Sequence, residues 1–437
     1  MRSSDEVEGE YEEDTLTRSE LMRRAAALGV TLTGAGALAG AAGAHPFARD
    51  SNTTLNVWKA PHTPTDAQFF NGQFATYDKA HPGIQVDYRV TPWASWDPTY
   101  TSAFASGSPP DLHYDVGIYF GKFGKANKIV ALDQKYASTL NPLKKFYDVT
   151  QFQSATLDGH LYGLPFIGAG ISFVWNKKLF KAAGLDPNTP PKTWAEVQAY
   201  AKKLTDAANG VYGYAIIDDT TGEMVNFYPS IMVNYGGKLV DSTGKWVFDD
   251  AKAQAGLNVL VSMYKDGYMP KFGTFVGHDL DTAFLEGKVA MMLSYSSFLI
   301  PLLPKYPGFQ LGVSATPRGP ANGLSLGGAG FWSIATASKN QDAAWELAQY
   351  ICTPKVMAAY CRLSSLFPAR KDVHPFAAGS ILDQFAKTQG NYYPDPHLTI
   401  GYSTVLSPQV QQAISGQSST ADALKAAAAQ INQELHK

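Results

Sequence analysis

DGHLYGLPFIGAGISFVWNKKLFKAAGLDP, residues Asp158–Pro187, is the stretch whose reading decides the fold. It opens on an Asp158-Gly159 turn, runs through Tyr162-Gly163-Leu164-Pro165 and becomes a Gly/Ala-rich extended segment. An apolar strand, Ile171–Trp175, follows, and Asn176 then starts a short amphipathic helix that ends at Gly184. Glycine and proline weaken a strand interior and mark places where backbone bends or approaches other backbone closely. Their density here predicts that the chain crosses between two packed units rather than burying itself in one.

The rest of the chain has room for two such units. At 437 residues it exceeds one ordinary core, so two domains are expected. Composition is globular, and the 23 Tyr, 23 Phe and 8 Trp suit ring-stacking surfaces as well as a large core. A formal net charge of −2 argues against a nucleic-acid partner, which would need a clustered basic face. Residues 1–44 read as an export signal: an acidic start, Met22-Arg23-Arg24, then an uncharged run closing in Ala42-Gly43-Ala44. The arginine pair points to the twin-arginine route, with a retained membrane anchor as the other reading. Cys352 and Cys361 are the two cysteines, and neither lies where a lipid anchor would attach. In an exported chain they could form a disulfide or remain free thiols, and both readings stay open. The nine His are scattered, with no pair at helical i, i+4 spacing, so no metal and no cofactor are expected.

Taken in order, Thr54–Trp58 alternates as a strand, Asp66 caps a helix through Phe70, Phe74 and Tyr77, and Ile84–Val90 alternates as a second strand. Strand, amphipathic helix and parallel strand make a right-handed α/β unit. Thr91–Trp96 reads as a loop, Asp97–Phe104 as a helix and Asp111–Val116 as the next strand. Farther on, Thr193 with Glu196 forms a capping-box pattern before a helix over 195–208. Tyr212–Ile217 reads as a strand, Lys238–Phe248 as a hairpin and Asp250–Asp266 as a helix. Thr282–Met292 reads as a helix, a glycine turn and a buried strand. Ser325–Ile334 is a second Gly-rich crossing, and Leu366–Arg370 precedes a third.

The order of motifs in 158–187 resembles the extracellular solute-binding proteins of ABC importers, in their sugar-binding, maltose-binding-protein-like branch. The resemblance continues through Pro191-Lys192-Thr193-Trp194-Ala195-Glu196 and Phe284-Leu285-Glu286-Gly287-Lys288-Val289-Ala290-Met291. It implies an α/β, two-lobe, periplasmic-binding-protein-like fold of type II, each lobe a sheet flanked by helices and joined by hinge strands. The first lobe would take residues 50–166 plus 330–373, and the second 168–328 plus 375–437. The implied function is capture of a sugar or oligosaccharide by hinge closure, then delivery to ABC permease subunits in the membrane by a monomeric, non-enzymatic protein.

A sugar presents flat C–H faces and a ring of hydroxyls, so its site needs aromatic faces and fixed polar partners. In open α/β sheets ligands sit beyond the carboxyl ends of strands. Trp58, Trp93, Trp96, Asp115 and Tyr119 fall near such ends. Tyr295 and Ser297 follow a second-lobe strand, and the resemblance adds Asn226 and Tyr228 from the second lobe. Trp332 and Tyr402 complete the expected ligand-binding set. A glycosidase would need paired carboxylates, and Asp115 has no second acid beside it. No nucleophile elbow, zinc-protease helix or phosphate loop occurs, so no catalytic residue is expected. The alternatives are a polyamine or a ferric-ion binder on the same fold. The Tyr392-Tyr393 pair could suit iron, and a polyamine site would want more acids than Asp115.

Overall fold

The computed structural model describes residues 53–218, 227–388 and 402–435. Among the described residues nine strands build the two larger sheets, beside a two-stranded one in which Thr156–Leu157 pairs with His160–Leu161. In chain order the nine are β1 (Thr53–Lys59), β2 (Ile84–Val90), β3 (Leu112–Val116), β4 (Leu164–Gly170), β5 (Ser172–Asn176), β6 (Met291–Ser294), β7 (Leu311–Ser314), β8 (Gly327–Ile334) and β9 (Phe367–Pro368). The larger sheet has the order β9-β4-β8-β3-β1-β2, and the smaller β6-β5-β7.

The opening unit forms as its pattern predicts. β1 pairs with β2 in parallel, Thr53 opposite Ile84 through Lys59 opposite Val90. The intervening helix, Asp66–Ala80, buries Phe70, Phe74 and Tyr77 against that sheet. Burying a large apolar side chain contributes about 1.5–3 kcal/mol, so this one face anchors the first lobe.

β4 lies in the large sheet, and β5, which begins two residues after β4 ends, lies in the small one. Ile167 packs into a core with Leu55, Tyr114 and Trp332, whereas Ile171 packs into another with Trp175, Met232 and Leu257. The same exchange recurs between Leu326 and Ala329, and again between Leu366 and Phe367. Each lobe thus has its own core, and the backbone passes between them at Gly-rich or Pro-marked segments. At Gly330, on the β8 crossing, an added Cβ would lie 1.6 Å from the Tyr114 hydroxyl. Only a bare backbone lets Tyr114 fit there.

Local chemistry explains the helix starts. Asn176 accepts the amides of Lys178 and Leu179 at the start of the helix Lys177–Ala182, which Gly184 terminates at φ +72°. Thr193 accepts the Glu196 amide to begin the helix Trp194–Leu204. Glu196 returns not to Thr193 but to the Lys192 amide at 2.5 Å. Asp250 caps the helix Ala251–Lys265.

Several expectations need correction. The segment read as a loop, Thr91–Trp96, already enters a helix at Trp93, which runs Trp93–Ala105. Pro92 supplies the extended residue before it, where its missing N–H costs nothing. Asp66 is the first helical residue rather than the cap, because its carboxylate is drawn to Lys59. Segment 212–217 makes only isolated bridges, Tyr212 to Val289 and Ala215 to Met292. The expected hairpin at 238–248 pairs only Val240 with Trp246. Cys352 and Cys361 are free thiols buried in the first core, and burial pushes both up in pKa, so they serve as packing groups.

Candidate functional site

A cavity of about 410 Å³ lies where the two lobes face each other. Its first-lobe wall is the loop after β1, with His62 and Thr63, and its second-lobe wall includes Ser297, Phe298 and Leu302. Leu363 and Ser364 close it beside the third crossing.

The first wall is held from beneath by a buried charge network. Lys59 ends β1 with no exposed surface, and its Nζ lies 2.5 Å from the Asp66 carboxylate. It also donates to the Ala60 carbonyl and to the Tyr360 hydroxyl, each at 2.8 Å, and meets His62 Nδ1 at 3.0 Å. Asp66 in turn accepts the amides of His62 and Thr63 at 3.1 Å each, and the Thr63 and Tyr360 hydroxyls. The rings of Phe70, Tyr114 and Tyr360 surround the ammonium at about 5 Å. Burial lowers the Lys59 pKa to about 8, against the pull of Asp66. Burial works to raise the Asp66 carboxyl, but the Lys59 charge and the hydrogen bonds from Lys59 and Tyr360 outweigh it and hold it below its ordinary value. The network therefore carries one cation and one anion at neutral pH, and their charges cancel beneath the loop.

The second wall rests on the helix Asp279–Leu285. His278 Nδ1 donates to Asp281 at 3.1 Å, and the Ser294 hydroxyl donates to the other Asp281 oxygen at 3.1 Å. The His278 ring lies 4.1 Å from that of Phe298. Across the lobes, the Ser296 hydroxyl donates to the Ser365 carbonyl at 2.6 Å. Ser365 caps the helix Pro354–Ser364 in the left-handed region, φ +56°.

Against this geometry the eleven expected residues divide into groups. Ser297 lines the cavity. Tyr295 packs edge-on to Phe298, and Trp93 edge-on to His62 while its indole N–H donates to the Pro61 carbonyl at 2.7 Å. These three belong to the cleft neighbourhood. Trp58 is half-buried between Tyr100 and the Arg89 guanidinium, which covers its ring at 4.6 Å. Four residues lie inside the lobes instead, a correction to the expected set. Trp96 is fully buried and stacks on Tyr100 at 4.0 Å, about one turn deeper along the same helix face than Trp93, which opens the helix at the edge. Trp332 is enclosed by Tyr114, Phe70 and Phe166. Tyr228 donates to the Ile217 carbonyl within the second core. Asp115 is fully buried on β3. Asn226 lies outside the described residues. Tyr119 and Tyr402 lie on the helices Gly117–Lys125 and Tyr402–Ile414. Sequence reasoning missed His62, His278 and Phe298, which come together only because loops far apart in the chain meet. Among the described residues, no group of three or more His, Cys, Asp or Glu could hold a metal ion.

Asp115 has a different role. Its carboxylate lies 3.6 Å from the His113 ring, both groups fully buried. Burial raises the Asp115 carboxyl well above its ordinary range and lowers the His113 imidazole to about 3. Folded, the pair holds one proton. Unfolded, it holds none above His113's ordinary 6.5, one below it and two below Asp115's ordinary 3.8. Stability from this pair is therefore flat between those values. It falls as pH rises above 6.5, where the unfolded chain has released both protons and the buried Asp115 carboxyl, held well above its ordinary range, retains its own. Asp115→Asn removes that alkaline loss and leaves a loss only as pH falls below 6.5, which urea denaturation at pH 5, 6.5 and 8 checks.

Comparison with known proteins places this architecture. Residues 60–358 match the family described as bacterial extracellular solute-binding protein. The chain belongs to that family. Among curated solute-binding relatives, a putative binding protein of Brucella abortus is 24% identical over 325 residues, 72% of this chain and 75% of its own. The sn-glycerol-3-phosphate-binding periplasmic protein of Yersinia pestis is 26% identical over 343 residues, 74% of each chain. A solved solute-binding protein of an ABC transporter from Thermotoga lettingae, bound with α-D-tagatose, superposes with a TM-score of 0.73 at 23% identity. That superposition covers 87% of this chain and 99% of the other, and it shows the shared two-lobe fold. No helix among the described residues of this solute-binding protein is long and apolar enough to cross a membrane.

Proposed function

We propose that this chain captures a neutral sugar or short oligosaccharide between its lobes and delivers it to the permease subunits of an ABC importer. The observation that carries the reading is the cavity itself. Its walls combine aromatic and aliphatic surface with hydroxyls, while Lys59 and Asp66 neutralise each other behind one wall and Asp281 in the other is engaged by hydrogen bonds from His278 and Ser294. A neutral, hydroxyl-rich, partly apolar ligand suits those walls, and the tagatose bound by the Thermotoga relative is of that kind. The ligand contacts proposed are Ser297, Tyr295 and Trp93, joined by His62 and Phe298.

The two lobes in this reading are residues 50–166 plus 330–373 and 168–328 plus 375–437, closing about the three crossings as hinge-type binding proteins do. The protein acts as a monomer without catalysis, exported on residues 1–44 by the twin-arginine route. One relative gives a second reading, a polyol phosphate, which would need a cation at the cleft that Asp66 does not already neutralise. A thermal-melt screen separates these classes. Glucose, tagatose, maltose and maltotriose are the expected stabilisers, and a ligand at 100 times its Kd adds about 2.7 kcal/mol. Stabilisation by glycerol phosphate, spermidine or ferric ion, with none by a sugar, would overturn the sugar reading.

A further inference from the structure

His62 sits at the meeting point of the buried network and the cleft. Its Nδ1 lies 3.0 Å from the Lys59 ammonium and 3.1 Å from the Tyr360 hydroxyl. An ammonium is donor-only and shares its three N–H groups among Asp66, the Ala60 carbonyl, the Tyr360 hydroxyl and Nδ1, so a proton on Nδ1 would point at the cation and the arrangement favours an accepting Nδ1. A neutral imidazole whose Nδ1 accepts has its proton on Nε2. Around the ring stand Trp93 and Tyr114, edge-on at 5.5 and 5.3 Å, and Tyr360 at 6.3 Å. The charged groups facing it are Lys59 from β1 and Asp66 from the helix Asp66–Ala80, and Asp66 also holds the His62 amide. Nε2 makes no hydrogen bond among the described residues, and the residue lines the cavity.

We infer that His62 is a specificity-determining residue of the cleft: a neutral imidazole locked by Lys59 with its proton on Nε2, offering one fixed donor to an acceptor oxygen of the ligand. The assignment rests on the sugar reading only for the identity of that oxygen, a hydroxyl or ring oxygen; the locked tautomer follows from the network alone. A fixed donor rewards ligands that place an acceptor opposite it and penalises a ligand that presents an N–H or ammonium there. A polyamine would thus meet a donor where it needs an acceptor. Enclosure and the neighbouring Lys59 charge both hold the His62 pKa well below its ordinary value, so the donor persists across the pH range in which free histidine titrates. Lys59 acts at one remove as a positioning residue.

The test has two readouts. In the full chain carrying 15N-labelled histidine, long-range 1H–15N spectra should show the His62 resonances, assigned by their loss in His62→Asn, as the Nε2–H tautomer from pH 5.5 to 7, where Lys59 keeps its charge. Lys59→Met should release the lock and admit the Nδ1–H form. An Nδ1–H tautomer or an imidazolium at pH 6 in the wild type would overturn the assignment. For recognition, maltotriose is the probe, measured by titration calorimetry. Glutamine can place its amide N–H where Nε2–H stood, whereas asparagine reaches only the Nδ1 position. His62→Gln should keep binding within about threefold, and His62→Asn should weaken it about tenfold or more. Equal weakening in both, or none in either, would overturn the donor role. Failure of maltotriose to bind the wild type would count against the sugar reading, while the tautomer spectra would still decide the lock.

Discussion

Asp66→Asn is expected to destabilise the protein by about 3–5 kcal/mol, among the largest losses available from a single atom exchange in this chain. The substitution removes the anion paired with Lys59, whose side chain has no exposed surface. Lys59 then keeps its desolvation cost without its partner, because Asp66 supplies the groups that raise its pKa. The deficit should shrink as pH rises toward about 8, where Lys59 sheds its proton even beside Asp66, and change little from there to the ordinary lysine value of 10.5, because both folded proteins then hold a neutral amine. A second substitution distinguishes charge from shape. Lys59→Met in the Asp66→Asn background deletes the orphaned charge and should recover more than half of the loss, since buried ion pairs are often replaced by apolar groups at little net cost. Urea midpoints of the three variants check this; an additive double mutant would show that the two groups do not act as a pair. The single variant should also loosen the cleft, because the amides of His62 and Thr63 both hang on this carboxylate.

Gly330→Val is the second large effect. At this position on β8 a Cβ would overlap the Tyr114 hydroxyl, with Cζ only 2.2 Å away. Tyr114 cannot swing aside: it is buried, packed edge-on to Trp332 at 5.6 Å and to His62 at 5.3 Å. Either β8 shifts against β3, breaking the pairing of Gly330 with Val116, or the aromatic cluster moves. Overpacking of this kind costs about 1–3 kcal/mol and more where the backbone must shift; the upper end is expected here. Because Gly330 lies on a crossing and Tyr114 touches the cleft histidine, ligand affinity should fall along with stability. Gly379→Ala offers a control, since open space surrounds its Cβ position although its φ is +76°. It should carry only the modest cost of a left-handed alanine and leave affinity alone.

The scaffold was legible because it is written in local signals. Alternation in Ile84–Val90, the cap at Asn176 and the glycines of 163–170 each act within a few residues of themselves, and each appears in the structure where the pattern places it. The site was less so. Trp93 and Trp96 are indistinguishable as letters, yet a helix turn places one at the cleft edge and stacks the other on Tyr100. Tyr228 follows the same logic, on a helix, Phe227–Asn234, buried on every side. His62 carried no signal at all in a Pro-marked loop. Its meaning depends on Tyr360, nearly three hundred residues away, and on Lys59, which reads as an exposed strand end until Asp66 is folded against it. Long-range charge pairing of this kind leaves no periodicity to read.

The most direct test of cleft capture is to fill the cleft. Ser297 is half-buried and lines the cavity, so Ser297→Trp should occupy much of its roughly 410 Å³ without disturbing either core. Titration calorimetry of this variant and the wild type, with the sugar that most raises the wild-type melting temperature, is the measurement to make. Loss of at least a hundredfold in affinity with an unchanged melting temperature of the ligand-free protein is the expected result. Undiminished affinity in a folded Ser297→Trp protein would contradict it and move the ligand site elsewhere.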